Sequence, residues 1–252
     1  MHPSLYHIVL WSIYASAAAT FASLLFVSAP YGRYARGGWG LALKPRWAWL
    51  AMESPSFLAM LLMASLGHGR GSVYLVFLAM WEFHYAYRSF VYPFLIRDAG
   101  KKDFPAALIA LAIAYNLANA YVNGYALFDG PRVYSASWLA DPRFVAGALM
   151  FCAGFATHAS ADAILRGLRK PGDGAYLIPH GRAFRLLSCP NYSGEILEWC
   201  GFALATWSAA GLSFAVFTVA NLLPRALSHH RWYRETFPDY PRERRAVLPF
   251  LL

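Results

Sequence analysis

The sequence predicts an all-α membrane protein, folded as a single bundle of seven transmembrane helices over residues 1–252. Three observations lead to this prediction: an apolar composition, a series of apolar stretches long enough to cross a bilayer, and an uneven distribution of basic residues. Of the 252 residues, 58% are hydrophobic and only 14% are charged, whereas soluble domains carry about 25% charged residues. No linker rich in Ser and Gly divides the chain, so one domain is expected.

The apolar stretches define the predicted helices, since about 20 apolar residues cross a hydrocarbon core of about 30 Å. Five stretches of this length are Leu5 to Ala29, Trp47 to Leu66, Ser72 to Ile96, Phe104 to Phe128 and Phe144 to Leu165. The first is uncharged and too long for a cleaved signal peptide. A last run, Leu186 to Leu227, would reach about 63 Å as one helix. It is therefore expected to form two spans that turn near Ala209, Ala210 and Gly211.

The distribution of Lys and Arg orients the bundle, because cytoplasmic loops carry an excess of these residues. Seven spans place most of the 22 basic residues on one side. These are Arg33, Arg36, Lys44, Arg46, Arg97, Lys101, Lys102, Arg166, Arg169, Lys170, Arg182 and Arg185 in loops, and Arg225, Arg231, Arg234, Arg242, Arg244 and Arg245 in the tail. The other side has only Arg70, Arg132 and Arg143. The prediction is an N-terminus outside and a C-terminus in the cytoplasm.

Several other protein classes are disfavoured by the sequence. The net charge of +9 is better explained by an anionic membrane surface or cofactor than by nucleic acid, since no recognisable nucleic-acid module is present. Gly67, Gly69 and Gly71 lack the spacing of a dinucleotide-binding fingerprint. Cysteines at 152, 189 and 200 have no zinc-site spacing, and the adjacent His229 and His230 point about 100° apart on a helix. No metal site is expected.

Ionisable residues within the predicted spans point to a functional site, because they are costly in lipid and usually face the bundle interior. They are Glu53 on the second helix, Glu82 and Arg88 on the third, and Glu195 and Glu198 on the sixth. His84 and Tyr85 lie next to Glu82. Glu53 has a second interpretation, because it follows Trp47 and Trp49 and could lie at the membrane interface.

Helical spacing groups polar residues into three stripes, since residues three or four apart share a helix face. The stripes are Asn191, Glu195 and Glu198 on the sixth helix, Asp162, Arg166 and Arg169 on the fifth, and Arg225, His229 and Tyr233 on the seventh. All three are expected to meet at one cytoplasmic mouth. Arg166 and Arg225 have an alternative role, since long basic side chains also extend to lipid headgroups.

Long segments of the sequence resemble a known family. They are DAILRGLRKPG at 162–172, YLIPHG at 176–181, PNYSGEILEWCGFALATWS at 190–208 and PRALSHHRWYRETFPDYPRERRAVLPF at 224–250, with ESPSF at 53–57 and FHYAYRSFVYPFL at 83–95. The chain is thereby similar to the steroid 5α-reductase family, and most similar to its type 2-like steroid enzymes. Members of this family transfer hydride from NADPH to the β-carbon of an enone, such as a 3-keto-4-ene steroid.

The resemblance implies a role for each matching residue. Tyr85 and Glu53 would polarise the substrate carbonyl, Glu53 as the neutral acid that a buried position favours. The implied cofactor-binding residues are Asp162, Arg169, Tyr176, Asn191, Glu195, Arg225, His229 and Tyr233. Weaker matches imply supporting roles for Tyr31, Arg33, His84, Arg88 and Glu198.

Two departures leave open how the 2'-phosphate end of the cofactor is held. His158 replaces the family's Asn four residues before Asp162, and Ile96 to Ala99 replaces an Asn-Arg-Gly-Arg stretch.

Three other functions remain to be tested. Polyprenol or enoyl-thioester reduction would use similar chemistry, and Pro190, Tyr192 and Gly194 match a motif of membrane methyltransferases that use S-adenosylmethionine, although Cys189 stands where those enzymes have a histidine. A receptor or transporter would leave Glu53 and Tyr85 unexplained. The expected partners are a steroid-like lipid and the membrane. The expected state is a monomer, in a bacterial inner membrane or the endoplasmic reticulum.

Overall fold

The computed structural model describes residues 3–30, 32–34, 38, 40–96, 103–168 and 176–251. Helices account for most of these residues. They are α1 (Pro3–Phe26), α2 (Pro45–Leu66), α3 (Ser72–Ala86), α4 (Tyr92–Leu95), α5 (Ala106–Phe128), α6 (Pro142–Gly167), α7 (Pro190–Thr206) and α8 (Ala209–Thr236). Short 3₁₀ turns cover Gly32–Tyr34, Ala136–Ala140 and Arg182–Arg185. The predicted helical class is confirmed.

Five of the described helices are long and apolar enough to cross a membrane: α1, α2, α5, α6 and α8. The two remaining predicted spans correspond to shorter helices. One is α7, with 17 residues, and the other is α3 with 15 residues, which continues through a π-helical turn into α4. A membrane protein is therefore supported, and the count of seven spans stays a prediction.

The turn between the last two helices lies slightly before its predicted position. Ala209, Ala210 and Gly211 form the first turn of α8, so the turn lies near these residues, as predicted, but just before them. The chain reverses at Trp207, which adopts a left-handed conformation with φ of 46°. Ser208 then caps α8 by accepting a hydrogen bond from the Gly211 N–H at 3.0 Å. Ser is a favoured N-cap residue, so the helix begins directly after Ser208.

A π-helical turn, Tyr87–Val91, interrupts the third predicted span. Its position follows from Pro93 in α4, because proline has no N–H to donate to the carbonyl one turn earlier and its ring crowds that turn. The widened turn contains the buried residues Arg88 and Ser89. Turns of this kind frequently occur at functional sites.

Helices α6 and α7 approach each other closely along a row of glycines. A Cβ atom at Gly154 would lie 2.4 Å from the backbone N of Glu198, and one at Gly194 would lie 2.4 Å from the backbone N of His158. Gly147 and Gly201 form a second pair of this kind, farther along the helices. Small residues let helix backbones approach in membranes. The glycines therefore bring the polar side chains of α6 and α7 within reach of each other.

An aromatic cluster fills the centre of the bundle beside this contact. Trp81 of α3 packs on Trp199 and Phe202 of α7 and on Phe214 of α8, with ring centroids 5.4 to 5.7 Å apart. Trp199 and Phe214 lie closer still, at 4.0 Å. Edge-to-face and tilted ring pairs contribute about 0.5 to 1.5 kcal/mol each beyond their buried area. This cluster fixes α3 against α7 and α8, next to His84 and Tyr85.

Extended segments hold the ends of helices together on one side of the bundle. Ala42–Leu43 (β1) pairs antiparallel with Phe104–Pro105 (β2) and joins the start of α2 to the start of α5. The C-terminal segment runs beside the start of α7, where the Ser188 N–H donates to the Arg245 carbonyl at 2.7 Å. This tail thus becomes part of the surface around α7 and α8.

Candidate functional site

A chain of buried titratable side chains connects α3, α6 and α7. Nδ1 of His84 lies 2.7 Å from Oε1 of Glu198, and Oε2 of Glu198 lies 3.5 Å from Nδ1 of His158. Nε2 of His158 is in turn 3.4 Å from Oδ2 of Asp162, one helical turn later on α6. None of the four residues is more than 6% exposed. Buried polar groups at this density are typical of functional sites in membrane proteins.

The π-helical turn and the start of α7 extend this chain through Asp162. NH1 of Arg88 is 3.7 Å from Oδ2 of Asp162, and its guanidinium stacks on the ring of Trp49, 4.4 Å from the centroid. The Asn191 side-chain amide donates to Oδ1 of Asp162 at 3.3 Å. Two of the predicted stripes, those on α6 and α7, therefore meet at Asp162.

Tyr85 of α3 and Glu53 of α2 lie close enough to interact electrostatically. Tyr85 is buried, with 2% exposure, and the side chains of Ser56 and Asn119 lie near its hydroxyl. Glu53 is partly accessible and lies close enough to His84, Arg88 and Glu195 to interact electrostatically with each. This position beside α3 and α7 residues argues against the interfacial interpretation of Glu53.

A row of asparagines on α5 completes the surroundings of Tyr85, and the sequence analysis missed it. Asn116, Asn119 and Asn123 lie on one buried face of the helix. The Asn116 amide donates to the Met52 carbonyl at 2.6 Å, next to Glu53. Their spacing of three and four residues along an apolar helix could have identified them from the sequence.

A second cluster lies where α8 leaves the bundle, around Tyr192 of α7. NH2 of Arg225 donates to the Tyr192 hydroxyl at 2.9 Å, and that hydroxyl is 3.3 Å from Nε2 of His229. Tyr34 stacks on the His229 ring with centroids 5.4 Å apart. The predicted α8 stripe is thus assembled, but through Tyr192 and Tyr34, which the sequence analysis did not select. Tyr192 belongs to the Pro-x-Tyr-x-Gly motif, which was the available signal.

Arg33 closes this cluster from the loop before α2. Its guanidinium lies 3.9 Å from the ring centroid of Trp232, 4.7 Å from that of Tyr176 and 4.9 Å from that of Tyr233. Three aromatic rings around one guanidinium hold the charge in a fixed place. The side chains predicted at 33, 176 and 233 are therefore brought together.

Several buried polar atoms in this second cluster have no hydrogen-bond partner within the described part of the chain. They are NH1 of Arg33, the Tyr34 hydroxyl and Nδ1 of His229. Burial raises the pKa of the Tyr34 hydroxyl, partly offset by the Arg33 charge, so it remains a proton donor at neutral pH. Unpaired buried donors are costly, and a polar, anionic ligand such as a dinucleotide would satisfy them. The residues present therefore fit a phosphate-bearing cofactor.

Two predicted residues, Tyr31 and Arg169, lie outside the described residues. Glu82 makes none of the contacts above, and both of its carboxylate oxygens are buried without a hydrogen bond to another described residue. Arg166 lies at the edge of the site, where NH1 is 3.5 Å from the Tyr87 hydroxyl. Arg166 thus contacts the π-helical turn and Arg225 contacts α7, so each has a partner within the protein.

One grouping in the site also has the composition of a metal centre. Ligand atoms of His84, His158 and Glu198 all lie within 4.8 Å of one another. The expectation of no metal stays a prediction, and it can be tested through these three side chains.

Comparison with known proteins gives consistent matches over most of the chain. A family model described as 3-oxo-5-alpha-steroid 4-dehydrogenase matches residues 102–252. The 3-oxo-5-alpha-steroid 4-dehydrogenase 1 of Bos taurus is 44% identical over 235 residues, covering 91% of this chain and 90% of the relative. The human protein of that name is 39% identical over 240 residues, covering 94% and 92%. Steroid 5-alpha-reductase DET2 of Gossypium hirsutum is 41% identical over 252 residues, covering 98% of each. A closer likeness to type 2-like enzymes stays a prediction.

Proposed function

Because the chain belongs to the 3-oxo-5-alpha-steroid 4-dehydrogenase family, we propose that it reduces the 4,5 double bond of 3-keto-4-ene steroids with NADPH. The observation that supports the proposal is the proximity of Tyr85 and Glu53, which lie within electrostatic range of each other inside an apolar bundle. An enone lipid can enter such a bundle from the membrane. Its carbonyl oxygen would then meet the two oxygen-bearing side chains.

The chemistry follows from where charge develops. Hydride addition to the β-carbon of an enone builds negative charge on the carbonyl oxygen, and fixed donors at that oxygen stabilise it. The Tyr85 hydroxyl is such a donor, with the side chains of Ser56 and Asn119 near it. Glu53 donates a second hydrogen bond when it is protonated. The resulting enolate takes a proton at its α-carbon, which completes the reduction.

NADPH supplies the hydride when bound, and the chain offers two groups of residues to hold it. The first surrounds Asp162 and includes Asn191, Glu195 and Arg88. The second contains the unpaired donors of Arg33, Tyr34 and His229, together with Arg225. Guanidinium groups match phosphate oxygens in charge and geometry. Tyr176, Tyr233 and Arg169 complete the proposed cofactor set, and Tyr31 is a further candidate.

Replacing Arg225 with Ala should weaken NADPH binding by about tenfold to a hundredfold, because a hydrogen bond to a charged group contributes about 1.5 to 3 kcal/mol. Titration of the purified variant with NADPH, followed by nucleotide fluorescence, measures this change. Arg70→Ala is the matched control, since Arg70 lies in the exposed turn between α2 and α3 and bonds to carbonyls there. Equal affinities in wild type and Arg225→Ala would place the cofactor elsewhere.

We further propose seven spans with the N-terminus outside and the C-terminus in the cytoplasm, in the bacterial inner membrane or the endoplasmic reticulum. The distribution of the basic residues supports this orientation. Five helices are long enough to be spans. In this proposal α3 together with α4 forms one further span, and α7 forms the other. A reporter fused after Leu252 should lie in the cytoplasm, and one fused before Met1 should lie outside. Finding both termini on one side would contradict the seven-span count.

One assay separates the proposed activity from its alternatives. The purified protein, proposed to act as a monomer, is incubated with NADPH and a panel of 3-keto-4-ene steroids, polyprenols and enoyl thioesters. NADPH oxidation with the steroids alone supports the proposal. Oxidation with another class would make that class the substrate. In a parallel incubation with S-adenosylmethionine, methyl transfer without NADPH oxidation would favour the methyltransferase.

A further inference from the structure

His158 occupies an unusual position, because each of its two ring nitrogens faces a different buried carboxylate. Nδ1 lies 3.5 Å from Glu198 on α7, and Nε2 lies 3.4 Å from Asp162 on its own helix. The His158 side chain is only 1% exposed. No other described histidine lies between two carboxylates in this way.

The protonation state of His158 follows from this geometry. A neutral imidazole has one N–H and one lone pair, so a neutral His158 would turn its lone pair toward a carboxylate oxygen. At 3.4 and 3.5 Å both contacts are ion pairs and neither is a hydrogen bond. The positive charge of the imidazolium form compensates two anions that are buried together. Arg88 from the π-helical turn opposes this charge, and His84 on α3 is bonded to the far side of Glu198. The two carboxylates stabilise a positive charge on His158 more than the Arg88 guanidinium destabilises it, because that guanidinium is itself paired with Asp162.

His158 also connects two parts of the site that would otherwise be separate. On one side, Asp162 contacts Asn191 and Arg88, which belong to the proposed cofactor region. On the other side, Glu198 holds His84 at 2.7 Å, directly before Tyr85 in α3. A change at His158 therefore reaches both the cofactor residues and the helix that carries Tyr85.

We propose that His158 is a positioning residue, which as an imidazolium holds Asp162 and Glu198 in place and fixes the cofactor region relative to Tyr85. The proposal rests in part on the proposed function, since it assigns the two regions to cofactor and substrate. Its charge state and its coupling to Glu198 do not depend on that function. The charge state and the coupling can therefore both be measured without enzyme turnover.

A double-mutant cycle tests the charge compensation. His158→Asn should lower Tm by about 5 °C or more, since it removes the positive charge that lies between two buried carboxylates. Glu198→Gln in the same chain removes one of these charges and should restore part of the loss. His68→Asn is the matched control, because His68 also pairs with an aspartate, Asp129, at 2.7 Å but has a side chain 89% exposed. Additive effects of His158→Asn and Glu198→Gln would overturn the proposal.

Nitrogen-15 NMR of the cofactor-free protein tests the protonation state directly. At neutral pH, the His158 signals, assigned by their loss in His158→Asn, should report protons on both ring nitrogens. A neutral ring would contradict the proposal. Added zinc tests whether His158 binds a metal together with His84 and Glu198. If zinc raises the Tm of wild type but not that of His158→Asn, these residues form a metal site, and the imidazolium assignment is wrong.

The effect on the cofactor is measured by NADPH titration. His158→Asn should bind NADPH about tenfold more weakly than wild type, because the cofactor region loses an ion pair that holds Asp162 in place. Equal NADPH affinities in the variant and wild type would contradict the positioning role. If the wild type does not reduce steroids, but the double-mutant cycle and the NMR measurement give the expected results, only the proposed function is rejected.

Discussion

Replacing Tyr85 with Phe is expected to slow hydride transfer by about a hundredfold to a thousandfold, the cost of losing one donor to a developing oxyanion. The ring and its packing against Trp81 and Trp199 are kept, so the fold and NADPH binding should survive. Single-turnover oxidation of bound NADPH, started by adding a 3-keto-4-ene steroid, measures the step directly.

Two further variants sharpen this result. Tyr74→Phe is the control, because Tyr74 is another buried tyrosine of α3, and its hydroxyl accepts a hydrogen bond from the Tyr134 backbone far from Glu53. It should leave the hydride step unchanged. Glu53→Gln should retain more activity than Glu53→Ala, since an amide can still donate a hydrogen bond. A Tyr85→Phe enzyme with the wild-type hydride rate would remove Tyr85 from the carbonyl site.

Replacing Gly154 with Ala is expected to be the most damaging small substitution in the bundle. Its Cβ would lie 2.4 Å from the backbone N and 2.7 Å from the Cα of Glu198. These are backbone atoms, so α6 and α7 must separate. Overpacking costs about 1 to 3 kcal/mol and occasionally more, and the upper end is expected here. A loss of about 3 kcal/mol lowers Tm by about 6 to 12 °C.

Gly167→Ala is the matched control on the same helix. Nothing lies within 4 Å of a Cβ at Gly167, and Ala favours a helix more than Gly does, so Tm should stay equal or rise slightly. Thermal unfolding in detergent compares the two variants. Equal Tm values for Gly154→Ala and wild type would contradict the close contact of α6 and α7 on which the polar chain depends.

The helices were largely predictable because each apolar stretch is long and bounded by polar loops. What the sequence analysis missed depends on tertiary detail. The π-helical turn arises because Pro93 cannot donate a backbone hydrogen bond to the turn before it. Hydropathy does not distinguish this segment from an ordinary α-helix. The reversal at Trp207 depends on a Ser208 cap, which a count of small residues does not reveal.

The site was predicted in part, because spacing identifies which residues share a helix face but not which neighbour that face meets. Asn191 and Asp162 do meet, as the stripes indicated. Glu198 was placed in the same stripe as Asn191, yet its carboxylate lies between His84 and His158. The glycine row of α6 and α7 determines this, since it sets how closely and at what rotation the two helices pack.

The resemblance to a family contributed a pairing of residues that spacing alone would not have indicated. Glu53 and Tyr85 stand on different helices with no pattern that links them, and only the matching segments at 53–57 and 83–95 paired them. Conversely, the asparagines of α5 lie outside those segments. They were found only once the structure placed Asn119 beside Tyr85.

The most direct measurement follows the hydride itself. The purified enzyme is given NADPH with deuterium at the transferred position and a 3-keto-4-ene steroid, and the product is analysed by mass spectrometry and NMR. The account predicts one deuterium at the former β-carbon, a saturated ring, an intact ketone and one NADPH oxidised for each product. A steroid reduced at the carbonyl to an alcohol, or a product without deuterium at the β-carbon, would contradict it.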